Sequence, residues 1–192
     1  MNAHASTAPD LTSAELARLA AIAHRAVVDA VTRRHHWDPS TADEPAALRR
    51  DGAVFVTLRR GGALRGCIGT MTPQLPLALA AADRARAAAF NDPRFPPLGP
   101  DELDDLSVEV SVLTPMEPFE VGGYDALVAT LRPGVDGVLV EAGRHRATFL
   151  PSVWEEIPDA TGWVGALWRK AGLPPRAWPD SIRTWRYRTQ HS

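Results

Sequence analysis

The stretch AVFVTLRRGGALRGCIG, residues 53–69, decides the fold of this chain. Its first part, 53–59, alternates in polarity and is rich in β-branched and aromatic residues, a pattern typical of a β-strand. Gly61 and Gly62 then supply a tight turn, and a second strand-like segment follows them. We therefore predict a β-hairpin whose second strand carries Cys67, the only cysteine in the chain.

The length of the hairpin loop determines which side of the sheet Cys67 faces. A two-residue loop at 61–62 places Cys67 opposite Val56, so the thiol faces the apolar core. A three-residue loop at 60–62 places Cys67 opposite Phe55, on the more polar face. The sequence leaves both registers open.

Helices and further strands surround the hairpin. Thr12 and Glu15 have the spacing of a capping box, which predicts where the first helix begins, and Thr72 is a candidate cap for an alanine-rich helix. Because hairpins and helices do not alternate as βαβ units, we predict an α+β fold with a largely antiparallel sheet and flanking helices. Residues 1–11 should form a flexible arm before a single domain over 12–192. The predicted helices are 12–36, 74–90, 124–131 and 160–171, and the further strands are 107–113, 136–142, 146–150 and 182–188.

Composition and charge exclude several classes of protein. A formal net charge of −2 and the lack of a long basic tract argue against a nucleic-acid partner. One cysteine cannot supply the thiolates of a structural zinc site or an iron–sulfur cluster, and no two histidines have the i, i+4 spacing of helical metal ligands. The pattern of a signal peptide and the roughly 20 apolar residues of a membrane span are both missing. We therefore expect a cytoplasmic protein without a metal, a cofactor or a membrane partner.

The residues around Cys67 could make it reactive. Arg65 and Cys67 lie two residues apart and would share one face of a regular strand, and a guanidinium beside a thiol favours the thiolate form. Gly66 and Gly69 would let a ligand approach the backbone closely. The alternative is inert packing, because free cysteines are among the most buried residues in proteins.

Three residues outside the hairpin are further candidates. Glu109 and Arg94 could move protons or hold an anionic substrate beside the thiol, and a structural ion pair is the alternative. Thr148 stands in a second predicted hairpin at the position that echoes Cys67, where it could orient a substrate or only fit the sheet. The predicted catalytic residues are Cys67 and Glu109, and the predicted substrate-binding residues are Arg65, Gly66, Gly69, Arg94 and Thr148.

Five blocks of the sequence resemble the AMMECR family, protein A of the AmmeMemoRadiSam system: LRGCIGT (64–70), AAFNDPRFPPL (88–98), EVSVLTP (109–115), DGVLVEAGRHRATFLPSVW (136–154) and RKAGLP (169–174). The resemblance implies two unequal subdomains with a cleft between them near the LRGCIG segment. It implies no assigned reaction. A Memo-type protein and a radical SAM enzyme are the expected partners, and they would carry the metal and radical chemistry. Ser152 departs from the glutamine that relatives often have there, so we leave it out of the predicted site.

Two classes of function follow. In the first, the protein is an enzyme in which Cys67 attacks a substrate or is modified while Glu109 moves protons, and an anionic group binds Arg65 or Arg94. No histidine has a sequence position that obliges it to approach Cys67. In the second, the protein is a non-catalytic binding module or adaptor for a peptide, a small molecule or the two partner proteins, and Cys67 only packs. The sequence leaves open whether the protein is an enzyme.

Overall fold

A computed structural model describes residues 10–33 and 36–192. The described residues form two compact units: the first comprises 10–113 with Gln190–Ser192, and the second comprises Thr114–Thr189. Most of the predicted N-terminal arm lies outside the described residues. Leu11, the last residue of that predicted arm, is buried in the core of the first unit and so is not part of a flexible segment. In the described ranges, no helix combines the length and the apolar character needed to cross a membrane.

The secondary structure mixes helices with short antiparallel strands. The helices are α1 (Ser13–Arg33), α2 (Leu77–Phe90), α3 (Tyr124–Thr130), α4 (Val153–Glu156) and α5 (Ala160–Ala171). The strands are β1 (Val54–Arg60), β2 (Ala63–Gly69), β3 (Leu106–Leu113), β4 (Glu117–Pro118), β5 (Gly137–Ala142), β6 (His145–Phe149), β7 (Arg183–Tyr187) and β8 (Thr189–His191). The α+β fold class with antiparallel pairing is therefore as predicted.

The first unit packs two helices on one face of a four-stranded sheet with the order β2-β1-β3-β8. The valines of β3 lie opposite the buried residues of β1, and together they form the apolar core with α1 and α2. The opposite face of this sheet carries Thr57, Cys67, Glu109 and Ser111, and we call it the polar face.

The two helices of the first unit begin differently from each other. The capping box of α1 is present, because the Thr12 backbone nitrogen donates to Glu15 Oε2 at 2.8 Å and the Glu15 nitrogen donates to Thr12 Oγ1 at 3.3 Å. The start of α2 was predicted too early, at residue 74. Leu75 and Pro76 are instead extended, because they pair through their backbone with residues 50–52.

The β1–β2 hairpin adopts neither predicted register. Gly61 and Gly62 form the two-residue loop with φ of 53° and 84°, the left-handed values that a tight hairpin turn requires. The register then shifts between Arg59, which pairs with Leu64, and Leu58, which pairs with Gly66. Arg65 is therefore an extra residue, a β-bulge, and the bulge breaks the alternation of side chains.

The bulge decides where Cys67 lies. Beyond it Cys67 pairs with Thr57, on the polar face, instead of with Val56 or Phe55. The expectation that Arg65 and Cys67 share a face assumes a regular strand, which the bulge interrupts, so it stays a prediction.

The second unit has a four-stranded sheet with the order β4-β7-β5-β6, and α3 and α5 contribute its aromatic core around Trp163 and Trp168. Both sheets have the same strand arrangement: a hairpin pairs with a third strand, and the third strand pairs with a short fourth strand. Along the chain, the short strand of each sheet directly follows the third strand of the other sheet, because β4 follows β3 and β8 follows β7. The echo between the two hairpins in the sequence therefore has a counterpart in sheet topology.

Candidate functional site

Cys67 lies half-buried on the edge strand of the first sheet, with its thiol free. Its backbone nitrogen donates to Asp92 Oδ2 at 2.8 Å, and its carbonyl oxygen accepts from Arg94 Nη2 at 3.5 Å. The hydroxyl of Thr57 donates to Sγ at 3.5 Å. Both the backbone and the thiol of Cys67 are thus held by polar groups, and the thiol lies outside the apolar core.

The segment that follows α2 provides the polar groups at the edge of β2. The Asp92 side chain is only 2% exposed, and Arg94 donates to it through Nε at 2.9 Å, Nη2 at 2.7 Å and the backbone nitrogen at 3.1 Å. These hydrogen bonds from Arg94 hold the pKa of Asp92 well below its usual range, although burial opposes them. Asp92 is therefore a fixed negative charge beneath Cys67 at any pH near neutrality.

Arg94 presents the opposite charge to solvent. Its side chain is 53% exposed, and hydrogen bonding to Asp92 raises its pKa. Asp92 uses Nε and Nη2 of the guanidinium, whereas Nη1 has no hydrogen-bond partner in the described parts of the chain. Arg94 can therefore still bind an acceptor from solution.

Arg65 has a different partner from the one its sequence position suggests. Its Nε and Nη2 donate to the two carboxylate oxygens of Glu102 at 2.7 Å and 3.0 Å, and both side chains are largely buried. This bidentate pair lowers the pKa of Glu102 to about 2. The remaining nitrogen, Nη1 of Arg65, is buried without an acceptor among the residues that the structure describes.

Phe95 lies between these two ion pairs. The centre of its ring is 5.7 Å from Cζ of Arg65 and 5.5 Å from Cζ of Arg94, so the same ring contacts both guanidinium groups. The edge of β2 therefore combines an apolar surface with two arginines.

Protein atoms fill the space beside Gly66 and Gly69, the glycines on either side of Cys67. A Cβ at Gly66 would lie 2.2 Å from the carbonyl oxygen of Ala88 in α2, and a Cβ at Gly69 would lie 2.2 Å from the ring of Phe55. Both glycines therefore permit close packing within the first unit. The Cβ side of each glycine is therefore closed to a ligand, and their substrate-binding role stays a prediction.

Glu109 lies on the polar face, directly opposite Thr57 and one strand further from Cys67. The imidazole of His191, on β8, lies with Nδ1 3.4 Å from Glu109 Oε1 and 3.0 Å from Ser111 Oγ. The row Cys67–Thr57–Glu109–His191 therefore crosses all four strands of the sheet. Within 10–33 and 36–192, no three acidic, histidine or cysteine side chains are grouped closely enough to hold a metal ion.

Thr148 belongs to the second unit. Its hydroxyl donates to the Val138 carbonyl oxygen at 2.8 Å and lies 2.6 Å from the hydroxyl of Tyr187, and its own carbonyl oxygen accepts from Lys170 Nζ at 3.0 Å. The hydroxyl, which is the one polar group of its side chain, is thus used within that unit. The substrate-binding role of Thr148 and the cleft that the family resemblance implies both stay predictions.

Comparison with known proteins identifies the family. A sequence model described as AMMECR1 matches residues 20–192, nearly the whole chain. The protein belongs to the AMMECR1 family. A relative from Methanothermobacter thermautotrophicus is 47% identical over 150 residues, which cover 77% of this chain and 78% of the relative. A relative from Thermococcus kodakarensis is 42% identical over 173 residues, which cover 84% of this chain and 81% of the relative.

A solved AMMECR1-family structure has the same fold. The crystal structure of an uncharacterised protein from Pyrococcus horikoshii superimposes with a TM-score of 0.86 at 35% sequence identity. The match covers 94% of this chain and 92% of the solved chain. The resemblance inferred from the sequence blocks is therefore confirmed at the level of both family and fold.

Two residues of this site had no sequence signal of their own. Thr57 is one of several polar residues on β1, and only the bulge places it opposite Cys67. His191 lies far along the chain and reaches Glu109 because β8 joins β3. Sequence alternation identified Glu109 but could not identify either of these neighbours.

Proposed function

We propose that this AMMECR1-family protein acts through a reactive thiol at Cys67, on the polar face of the first sheet, in a cysteine-dependent reaction. The observation that supports the proposal is the polar support of Cys67. Asp92 and Arg94 hold its backbone, and Thr57 donates to its sulfur. A cysteine that only fills space in a core needs none of these groups.

The polar face suggests how the thiol loses its proton. A hydroxyl that donates to sulfur stabilises the thiolate, and Thr57 is placed to do so. Glu109 lies opposite Thr57 and two strands from Cys67, so it is the proposed acceptor of a proton that the Thr57 hydroxyl relays from the thiol. His191 Nδ1 lies 3.4 Å from Glu109 Oε1 and 3.0 Å from Ser111 Oγ, so His191, itself held by Ser111, acts as a positioning residue for that carboxylate.

The test measures alkylation of Cys67 by iodoacetamide at one pH, on the native and on the urea-unfolded protein, with mass spectrometry as the readout. Because the chain has one cysteine, every adduct reports on this site. We expect the native protein to react at least as fast as the unfolded protein. Thr57→Val and Glu109→Gln should slow the native reaction and leave the unfolded rate unchanged. Labelling that occurs only after unfolding would show that Cys67 is a packing residue.

A second function, as an adaptor, is favoured by the surface beside the same site. Pro93, Arg94, Pro96 and Pro97 are all exposed, and a rigid, exposed segment suits recognition by another protein. We propose that this segment binds the Memo-type and radical SAM proteins that the family resemblance suggests. Co-purification of either protein with the wild-type chain but not with an Arg94→Glu variant would support this function, and equal recovery would refute it.

A further inference from the structure

We infer that the Cys67 site takes ligands that carry a carboxylate or another small anionic group, and that Arg94 binds this group. The inference rests on the proposed reactive thiol and adds the class of ligand. The two charges of the Asp92–Arg94 pair differ in their exposure to solvent. Asp92 is 2% exposed and lies inside, whereas Arg94 is 53% exposed and lies outside.

The guanidinium of Arg94 is fixed in one orientation before any ligand binds. Its Nε and Nη2 donate to Asp92, and Nη2 also donates to the Cys67 carbonyl oxygen. These bonds leave Nη1 as the donor that is directed away from Asp92. Because the side chain is already ordered, an anion that binds Nη1 does not incur the usual entropic cost of immobilising an arginine.

The contact between Arg94 and the backbone of Cys67 places such an anion near the thiol. Nη2 of Arg94 is 3.5 Å from the carbonyl oxygen of Cys67, so a group on Nη1 lies within the reach of a small molecule from Sγ. A ligand can therefore be held by its anionic end at Arg94 while its other end meets the sulfur.

A second guanidinium adds to the positive character of this edge. Nη1 of Arg65 is buried, and no described residue supplies an acceptor for it. A buried donor without an acceptor is costly, so Arg65 keeps an unsatisfied positive group at this edge of the sheet. Phe95 contacts both arginines and supplies the apolar surface for the rest of a small ligand.

The test compares iodoacetate with iodoacetamide, two reagents of nearly equal size that differ in charge. In both reactions the sulfur of Cys67 forms a bond to carbon and iodide leaves. The measured quantity is the ratio of the iodoacetate rate to the iodoacetamide rate, divided by the same ratio for the unfolded protein. We expect this quotient to be about two to five in the native wild type, the effect of one partly exposed charge pair, and to fall as salt is added.

Substitutions of Arg94 and of a control arginine test whether Arg94 causes the preference for iodoacetate. Arg94→Gln should bring the quotient to about one, and Arg94→Lys, which keeps the charge, should preserve part of the preference. Arg84→Gln is the matched control, because Arg84 also pairs with a neighbouring aspartate but lies on α2. Its quotient should equal that of the wild type. Circular dichroism checks that each variant is folded.

The two proposals fail in different ways. If the native protein reacts with neither reagent, the reactive thiol itself is refuted. If iodoacetamide reacts but the quotient is one, or is the same in Arg94→Gln as in the wild type, the anionic ligand class is refuted and the reactive thiol stands.

Discussion

Oδ2 of Asp92 lies 2.8 Å from the backbone nitrogen of Cys67, so a loop carboxylate takes the position that a neighbouring strand would occupy at the edge of β2. An unpaired edge can pair with another chain, and a buried carboxylate prevents this. The same carboxylate orders Arg94. Asp92, two residues after the end of α2, therefore both protects the sheet edge and orders the candidate site.

Replacing Asp92 by alanine should destabilise the first unit. The change removes the acceptor of the Cys67 N–H group and leaves Arg94 without its counter-charge, so we expect the free energy of unfolding to fall by about 2–3 kcal/mol. Asp92→Asn keeps one carbonyl oxygen as an acceptor and should cost less. Urea unfolding followed by circular dichroism measures both changes. Equal stability of Asp92→Ala and the wild type would contradict this role.

Gly66 should tolerate no side chain. A Cβ there would lie 2.2 Å from the backbone oxygen of Ala88, which cannot move without displacing α2, so Gly66→Ala should cost about 3 kcal/mol. Gly69→Ala is the comparison, because the atoms it meets belong to the half-buried ring of Phe55, which can turn aside. Thermal unfolding of both variants should rank Gly66→Ala as the less stable. The reverse order would show that α2 can yield more easily than the ring.

The ion pair between Arg65 and Glu102 should make stability depend on pH in the acid range. Hydrogen bonding to Arg65 lowers the pKa of Glu102 from 4.5 to about 2 in the folded protein. A lowered folded pKa means that the ionised carboxylate stabilises the fold fully above pH 4.5, and that this contribution is lost as the pH falls toward about 2. The wild type should therefore lose stability steadily over that interval.

Glu102→Gln isolates this contribution. The variant should be less stable than the wild type at pH 7, because Arg65 keeps its buried charge and loses the opposite one. The difference in the free energy of unfolding should then shrink between pH 4.5 and pH 2. Asp125→Asn is the control, since Asp125 pairs with Arg176 at the surface, away from Glu102. A constant difference between Glu102→Gln and the wild type at all pH values would rule out the ion pair as the cause.

The local sequence was sufficient to predict those elements that depend only on neighbouring residues. The turn at Gly61–Gly62 and the capping box of α1 each depend on residues that are adjacent in the chain. The alternating valines of β3 likewise face the core as their period requires. These features, together with the family-specific blocks, were enough to predict the α+β fold.

The features that the sequence could not predict depend on distant partners. The bulge at Arg65 accompanies an ion pair with Glu102, which lies beyond α2, so the hairpin alone could not indicate the register of Cys67. The late start of α2 depends on pairing with residues 50–52. His191 joins the polar face through the fourth strand of the sheet, which no local pattern places next to β3.

Ionisation of the Tyr187 hydroxyl should lower the free energy of unfolding at alkaline pH. Burial raises the pKa of its hydroxyl above the usual value of 10.0, so the neutral hydroxyl is favoured in the folded protein. A raised folded pKa means that the contribution of Tyr187 to stability is fully present below pH 10.0 and is lost as the pH rises further. Tyr187→Phe removes this loss. Urea midpoints at pH 8 and pH 11 should therefore fall less in Tyr187→Phe than in the wild type, and an equal fall would refute the prediction.

Variants of Thr148 test whether its hydroxyl has only a structural role. Its hydroxyl bonds to Val138 and lies beside the Tyr187 hydroxyl within the second unit, so Thr148→Val should lower the free energy of unfolding by about 1–2 kcal/mol. Thr148→Ser, which keeps the hydroxyl, should lose less. If the hydroxyl serves only the second unit, both variants alkylate at Cys67 at the wild-type rate and keep the wild-type preference between iodoacetate and iodoacetamide. A changed alkylation rate in a folded Thr148→Val variant would contradict a role confined to the second unit.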